Sequence, residues 1–313
     1  MKRSTFNPQP TSWAMLAFAL LLVMLALAPT PIAQAQKGKN KIVRNDGAVF
    51  EIQKSDRTFM PSRAASSEAS KLLNQPNEPK NLLPVRAQSP ESIIGPDGRT
   101  NVTSTTTYPS SAIAQLEVTF PSSSGICTGW FISANRLATA AHCIYLASEG
   151  GFVTAITVAP GRNGGTDPYG TFTATNAYVT QKWVDTENPK YDYGMIDLGS
   201  NVGNTVGWFG YGWNSDNAFY QDRKINVRGY PGDKPYGTMW TMKGKIQEVQ
   251  KTRLFYSIDT FGGQSGSPAY GKWGDCNPCG FGIHTYGVGG GWDKNSATRI
   301  TQKVFNFLGS TVQ

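Results

Sequence analysis

The chain has 313 residues, a formal charge of +8 and 12% aromatic residues, enough apolar material for one or two packed domains. The charge is lopsided. Residues 1–91 hold 12 Lys and Arg against 6 Asp and Glu, whereas residues 92–313 hold 17 against 15. The basic excess falls outside the region expected to fold, so no basic stripe remains there to bind nucleic acid.

The N-terminus reads as an export signal over residues 1–35. Lys2 and Arg3 give the positive start, Trp13 to Ala28 is apolar and uncharged, and Ala33-Gln34-Ala35 is a small-x-small cleavage site. The competing reading is a membrane anchor, but the run is near the lower limit for a span and the small-residue site follows closely. A secreted, extracellular protein with no membrane contact after signal removal is expected. Residues 36–91 are polar and poor in aromatics. Runs such as Ser62 to Glu68 and Asn74 to Pro79 are not expected to bury much surface. This segment reads as a flexible linker or, more sharply, a propeptide.

From about Ser92 the chain becomes short strands broken by Gly, Pro, Asn and Ser. Leu116 to Phe120, Lys224 to Tyr230 and Leu254 to Asp259 alternate apolar with polar residues, the period of half-buried antiparallel strands. The helix that stands out is terminal, Thr301 to Leu308, where Ile300, Val304, Phe307 and Leu308 share a face. The region suits an all-β fold of one large or two small barrels.

Export places the cysteines in an oxidising compartment. Four cysteines allow three pairings, of which Cys127 with Cys143 and Cys276 with Cys279 is the most local. The C-x-x-C pair could also be half a zinc site or a redox motif. No second C-x-x-C and no βαβ pattern accompany it, so a hairpin disulfide fits better, and no metal or cofactor is expected.

Two histidines occur in the chain. His142 lies in Thr139-Ala140-Ala141-His142-Cys143, after a strand-like run. Ser265 lies in Gly262-Gly263-Gln264-Ser265-Gly266-Ser267-Pro268, a glycine turn that could aim the N–H groups of Gly263 and Ser265 at one point as an oxyanion hole. Serine acyl transfer needs a base at the hydroxyl and a carboxylate to orient that base. Tyr191-Asp192-Tyr193-Gly194-Met195-Ile196-Asp197 offers two carboxylates; Asp192, at the head of an apolar strand, is favoured over Asp197. With His142 assigned as base, His284 is left for recognition, and an anion is its natural ligand.

These motifs, in the order His, Asp, Ser, resemble the chymotrypsin-fold serine proteases, and within them the secreted bacterial glutamyl endopeptidases of Bacillus and Staphylococcus type. The likeness includes Cys127-Thr128-Gly129-Trp130, Tyr191-Asp192-Tyr193-Gly194, Gly229-Tyr230-Pro231-Gly232-Asp233 and the Ser265 motif. It implies two six-stranded antiparallel β-barrels, residues 92–205 and 206–313, with the terminal helix in the second. His142 and Asp192 would come from the first barrel and Ser265 from the second. It implies cleavage after Glu, less readily after Asp, with His284 and Thr260 in the S1 pocket. Ser92-Ile93-Ile94-Gly95 resembles a mature N-terminus of this branch, whose freed amine lies near S1, and Glu91 precedes it. The expected partners are protein or peptide substrates, and the expected state is a monomer. The competing readings are a protease of the same fold with another P1 preference and a non-catalytic binding protein on that scaffold.

Overall fold

The computed structural model describes residues 40–66, 73–78, 80–85 and 91–312. The expected export signal of residues 1–35 lies outside them. Among the described residues, no helix is long and apolar enough to cross a membrane.

The architecture is all-β. Ile113–Thr119, Ser124–Phe131, Arg136–Thr139, Gly194–Leu198 and Phe172–Thr180 pair in that spatial order, all antiparallel. Ala155–Pro160 closes the ring by pairing with both ends of the row, which removes the exposed sheet edges. Leu116, Phe131, Leu137, Val158 and Ile196 share the inner face of this barrel and are fully buried. The second unit is a half-barrel. Its strands run Glu248–Val249, Arg253–Tyr256, Asn295–Arg299, Cys276–Tyr286, Pro268–Trp273, Lys224–Gly229, Met239–Lys245 and Thr100–Val102 in space, around Ile225, Leu254 and Phe281.

Two elements cross the expected 205/206 division. Thr100–Val102 precedes the first barrel in sequence yet pairs with Met239–Lys245 of the second. The helix Gln302–Leu308 ends the chain yet lies against first-barrel residues: Phe307 meets Tyr193 edge-on at 5.0 Å. Arg136 Nη1 donates to the Ser310 carbonyl just beyond it at 2.6 Å. Thr301 starts this helix by accepting a hydrogen bond from the Val304 N–H on its hydroxyl, satisfying one of the orphan donors of a first turn.

Lys224–Gly229 alternates in burial as its sequence predicts. Ile113–Thr119 does not; it is buried along all but its last residue. The reason is Arg162, whose Nη1 donates to Gln115 Oε1 at 2.8 Å and Glu117 Oε1 at 2.5 Å. Its Nε and Nη2 grip Asp167 at 2.6 and 2.9 Å. A buried guanidinium is tolerated because its donors are matched by carboxylates and an amide, and the polar face of the strand is thereby covered.

A second correction concerns residues 36–91. The described residues of the runs expected to bury little surface are exposed or half-buried apart from Asn77, but the segment is not featureless. Lys41–Arg44 and Val49–Glu51 form a hairpin added to Phe172–Thr180, with Ile42 and Val43 buried. Phe59–Met60 pairs with Gly210–Gly212, and Leu83–Pro84 runs parallel to Ser124–Phe131. The segment is thus strapped across both sheets.

Candidate active site

His142 sits in the turn Ala141–Cys143, directly after Arg136–Thr139. Cys143 is bonded to Cys127 with Cα atoms 6.2 Å apart, which ties the turn to the neighbouring strand. Asp192 follows the turn Pro189–Tyr191 and precedes Gly194–Leu198. A methyl group at Gly194 would lie 2.7 Å from Ile144 and 3.0 Å from the Tyr178 carbonyl, so only glycine lets these strands close up.

Asp192 and His142 are in contact. Asp192 Oδ2 lies 2.8 Å from His142 Nδ1, and Asp192 Oδ1 accepts the His142 backbone N–H at 3.0 Å. Both residues are buried. Burial opposes charge on each, but the mutual attraction outweighs it: the imidazole is held above its ordinary value and the carboxyl below its own. Asp197, the alternative carboxylate, instead forms a two-pronged ion pair with Arg136 at 2.5 and 2.7 Å.

Ser265 comes from the loop between Arg253–Tyr256 and Pro268–Trp273. Gly263 and Gly266 both have positive φ, 98° and 89°. At Gly266 a Cβ would meet the Thr128 carbonyl at 2.0 Å. The loop is stitched to the first barrel at Thr128, whose N–H donates to the Ser265 carbonyl and whose hydroxyl donates to the Gly263 carbonyl, each at 2.8 Å. Cys143 Sγ lies 3.8 Å from the Ser265 carbonyl oxygen, which puts the serine beside the histidine turn. The Ser265 hydroxyl itself donates to the carboxylate of Glu91.

The second histidine faces the same place. His284 is fully buried on Cys276–Tyr286, its Nδ1 is 2.7 Å from the Tyr256 hydroxyl, and its Nε2 is 4.0 Å from Glu91 Oε1. Burial, reinforced by the nearby cations Arg253 and His142, pushes the imidazole down to about 3, so it is neutral at ordinary pH. Thr260 is also fully buried. His142 Nε2, His284 Nε2 and the Thr260 hydroxyl have no hydrogen-bond partner. Ser92 is fixed next to Thr260: its carbonyl accepts from Thr260 N–H at 3.2 Å and from Asn295 Nδ2 at 2.6 Å, and its own N–H donates to Asn295 Oδ1 at 3.0 Å.

Sequence reasoning missed Tyr256, Asn295 and the buried Arg253. Tyr256 sits in a run read only as a strand. Arg253 donates to Thr285 and Ser296 hydroxyls at 2.8 and 2.7 Å and to the Pro189 carbonyl at 3.2 Å, bracing the turn before Asp192.

A family model for trypsin matches residues 101–308. The chain belongs to the trypsin family of serine proteases. Within that family it is 44% identical to the glutamyl endopeptidase of Bacillus licheniformis over 222 residues, 70% of this chain and 68% of that protein. It is 37% identical to a Bacillus subtilis protein named extracellular metalloprotease, across 83% and 82% of the two chains. A solved glutamyl endopeptidase in complex with MPD aligns with a TM-score of 0.62 at 32% identity, over 69% of this chain and 96% of that one. The fold of this trypsin-family member is therefore chymotrypsin-like, and its second disulfide, Cys276–Cys279, has Cα atoms 4.8 Å apart.

The name of the Bacillus subtilis relative raises a metal. Among the described residues, one group of three metal-ligating side chains lies close together: Cys127, His142 and Cys143. Its two sulfurs are bonded to each other, and His142 Nδ1 is engaged by Asp192. With both sulfurs spent in the disulfide, the set offers at most one imidazole nitrogen, too few ligands to hold a metal.

Proposed function

We propose that the chain is the precursor of a secreted serine endopeptidase that cuts peptide bonds after Glu, less readily after Asp, through an acyl-enzyme. In this reading residues 1–35 are the export signal, residues 36–91 a propeptide, and Ser92 the first residue of a monomeric mature enzyme. His142 Nε2 takes the proton of the Ser265 hydroxyl as Oγ attacks the scissile carbonyl, and later returns a proton to the leaving amine. Asp192 holds the imidazole by Nδ1 and stabilises its charged form. The N–H groups of Gly263 and Ser265 receive the oxyanion. The positive φ of Gly263 supports this, because it turns the loop backbone in a way a side chain would resist.

One observation carries the specificity. A glutamate side chain, that of Glu91, already lies between Ser265 and His284. Both groups beside its carboxyl, the Ser265 hydroxyl and His284 Nε2, are polar. A neutral imidazole N–H, a threonine hydroxyl and the adjoining Ser92 segment suit a carboxylate, which must be met by donors when it leaves water. The 44% identity to a glutamyl endopeptidase points the same way. Digestion of a peptide library, with the new termini read by mass spectrometry, tests it. Cuts mainly after Glu and Asp are expected; cuts mainly after Lys, Arg or large apolar residues would overturn the pocket assignment.

A further inference from the structure

In a working Ser-His-Asp arrangement the serine hydroxyl donates to the histidine. Here it donates to Glu91, and His142 Nε2 is left without a partner. Glu91 is 4% exposed, and its carboxylate stands 4.0 Å from His284 Nε2. The atom of Glu91 at the nucleophile is a side-chain oxygen, so this is not an attack geometry on the Glu91–Ser92 bond.

The chain is anchored on both sides of this contact. Upstream, Leu83–Pro84 pairs with the first barrel and the Val85 N–H donates to the Ile126 carbonyl at 3.2 Å. Pro84 packs so tightly on the Ser265 loop that a Cβ at Gly262 would lie 2.8 Å from it. Downstream, Asn295 holds Ser92, and Asp259 accepts the N–H groups of Ile94 and Gly98 at 2.7 and 2.8 Å. Those downstream bonds do not depend on the 91–92 peptide bond, apart from the Ser92 nitrogen that would become an amine.

We propose that Glu91 is an internal plug: its side chain diverts the Ser265 hydroxyl from His142 and fills the acid-recognising pocket, so that the uncut chain is inhibited by its own glutamate. The proposal rests on the acidic S1 reading above. Hydrolysis of the 91–92 bond consumes one water, leaves a carboxylate on Glu91 and an amine on Ser92, and lets Glu91 leave while the pocket wall at Ser92 stays. Because the side chain rather than the carbonyl meets Ser265, the cut is made by a second protease molecule.

The test uses the full-length chain with the 91–92 bond shown intact by mass, and a fluorophosphonate probe. The probe forms a bond from Ser265 Oγ to phosphorus and expels fluoride, and it has no need of a P1 side chain. Glu91→Ala should label about tenfold faster or more than the native precursor, because the hydroxyl is returned to His142. Equal labelling rates would overturn the plug. Where Glu91→Ala gives no soluble protein, Glu91→Asp serves: it keeps a carboxyl but is one methylene too short to reach, and should also label faster. The unblocked precursor is then given matched substrates with Glu or a neutral residue at P1. Faster labelling with no preference for Glu would refute the acid-pocket reading while leaving the occlusion of Ser265 standing. Precursor processing should also accelerate with protein concentration; a first-order rate independent of concentration would overturn the second-molecule step.

Discussion

Asp192 holds His142 at two points, one oxygen on the ring nitrogen and the other on the backbone N–H of the same residue. The second contact fixes the turn as well as the ring. Replacing Asp192 with Asn keeps the shape but offers Nδ1 the wrong partner. We expect kcat to fall by about 10⁴-fold, the scale seen when the matching carboxylate is removed in a related protease. The acid limb should also move. The imidazole is held above its ordinary value by Asp192 against the opposing effect of burial, and it works only when neutral, so activity rises with pH through that raised value. Without the Asp192 charge the limb should shift to lower pH. A pH profile of kcat/KM on a soluble peptide checks this, and an unmoved limb would deny Asp192 the role.

Ser265→Ala in the processed enzyme should lower kcat by ~10⁶, as for single triad knockouts in another serine protease. Active-site titration and initial rates measure it. Turnover near the native rate would remove Ser265 from the chemistry.

Tyr256 sets the face that His284 presents. With the phenol donating to Nδ1, the neutral ring carries its proton on Nε2 and aims it at the pocket. Tyr256→Phe should cut kcat/KM for P1-Glu substrates about tenfold, the worth of one buried hydrogen bond to a charged ligand, and leave neutral P1 substrates nearly unchanged. Equal losses on both would mean that Tyr256 only supports the fold.

Gly266→Ala places a methyl group 2.0 Å from the Thr128 carbonyl at a φ of 89°. Both the clash and the left-handed backbone act against it, so a loss of about 3 kcal/mol or more is expected. Urea unfolding gives the value; a change under about 0.5 kcal/mol, the range of neutral surface substitutions, would mean the loop is slack.

Arg162 matches Asp167, Glu117 and Gln115 in the interior. Arg162→Ala strands the buried Asp167 carboxylate, whereas Glu117 keeps Lys80 and Tyr236, and should cost about 3 kcal/mol. Denaturant melts at neutral pH should show it.

Local chemistry made the His142 and Ser265 loops readable in the sequence, because a sharp turn packed against a neighbouring strand demands small residues and a disulfide-pinned turn leaves a cysteine next to His142. Asp192 was readable for the same reason, sitting where a turn meets an apolar strand. What depends on distant partners was not. Glu117 looks like a solvent-facing strand residue until Arg162 covers it. The helix Gln181–Thr186 has one buried side chain, Trp183, too little for a periodic signal. The hairpin at Lys41–Arg44 did leave a mark, the Asp46-Gly47 turn with Gly47 at a φ of 87°, but the polar composition around it hid the two buried apolar residues.

The exchange of ends between the two sheets has a mechanical outcome. Clipping the last dozen residues would injure the half that carries His142, not the half it follows in sequence, and loosening Thr100–Val102 would fray the half that carries Ser265. Each half is buttoned shut by the other's loose end, so heat should melt them together, and neither is expected to survive as a separate fragment.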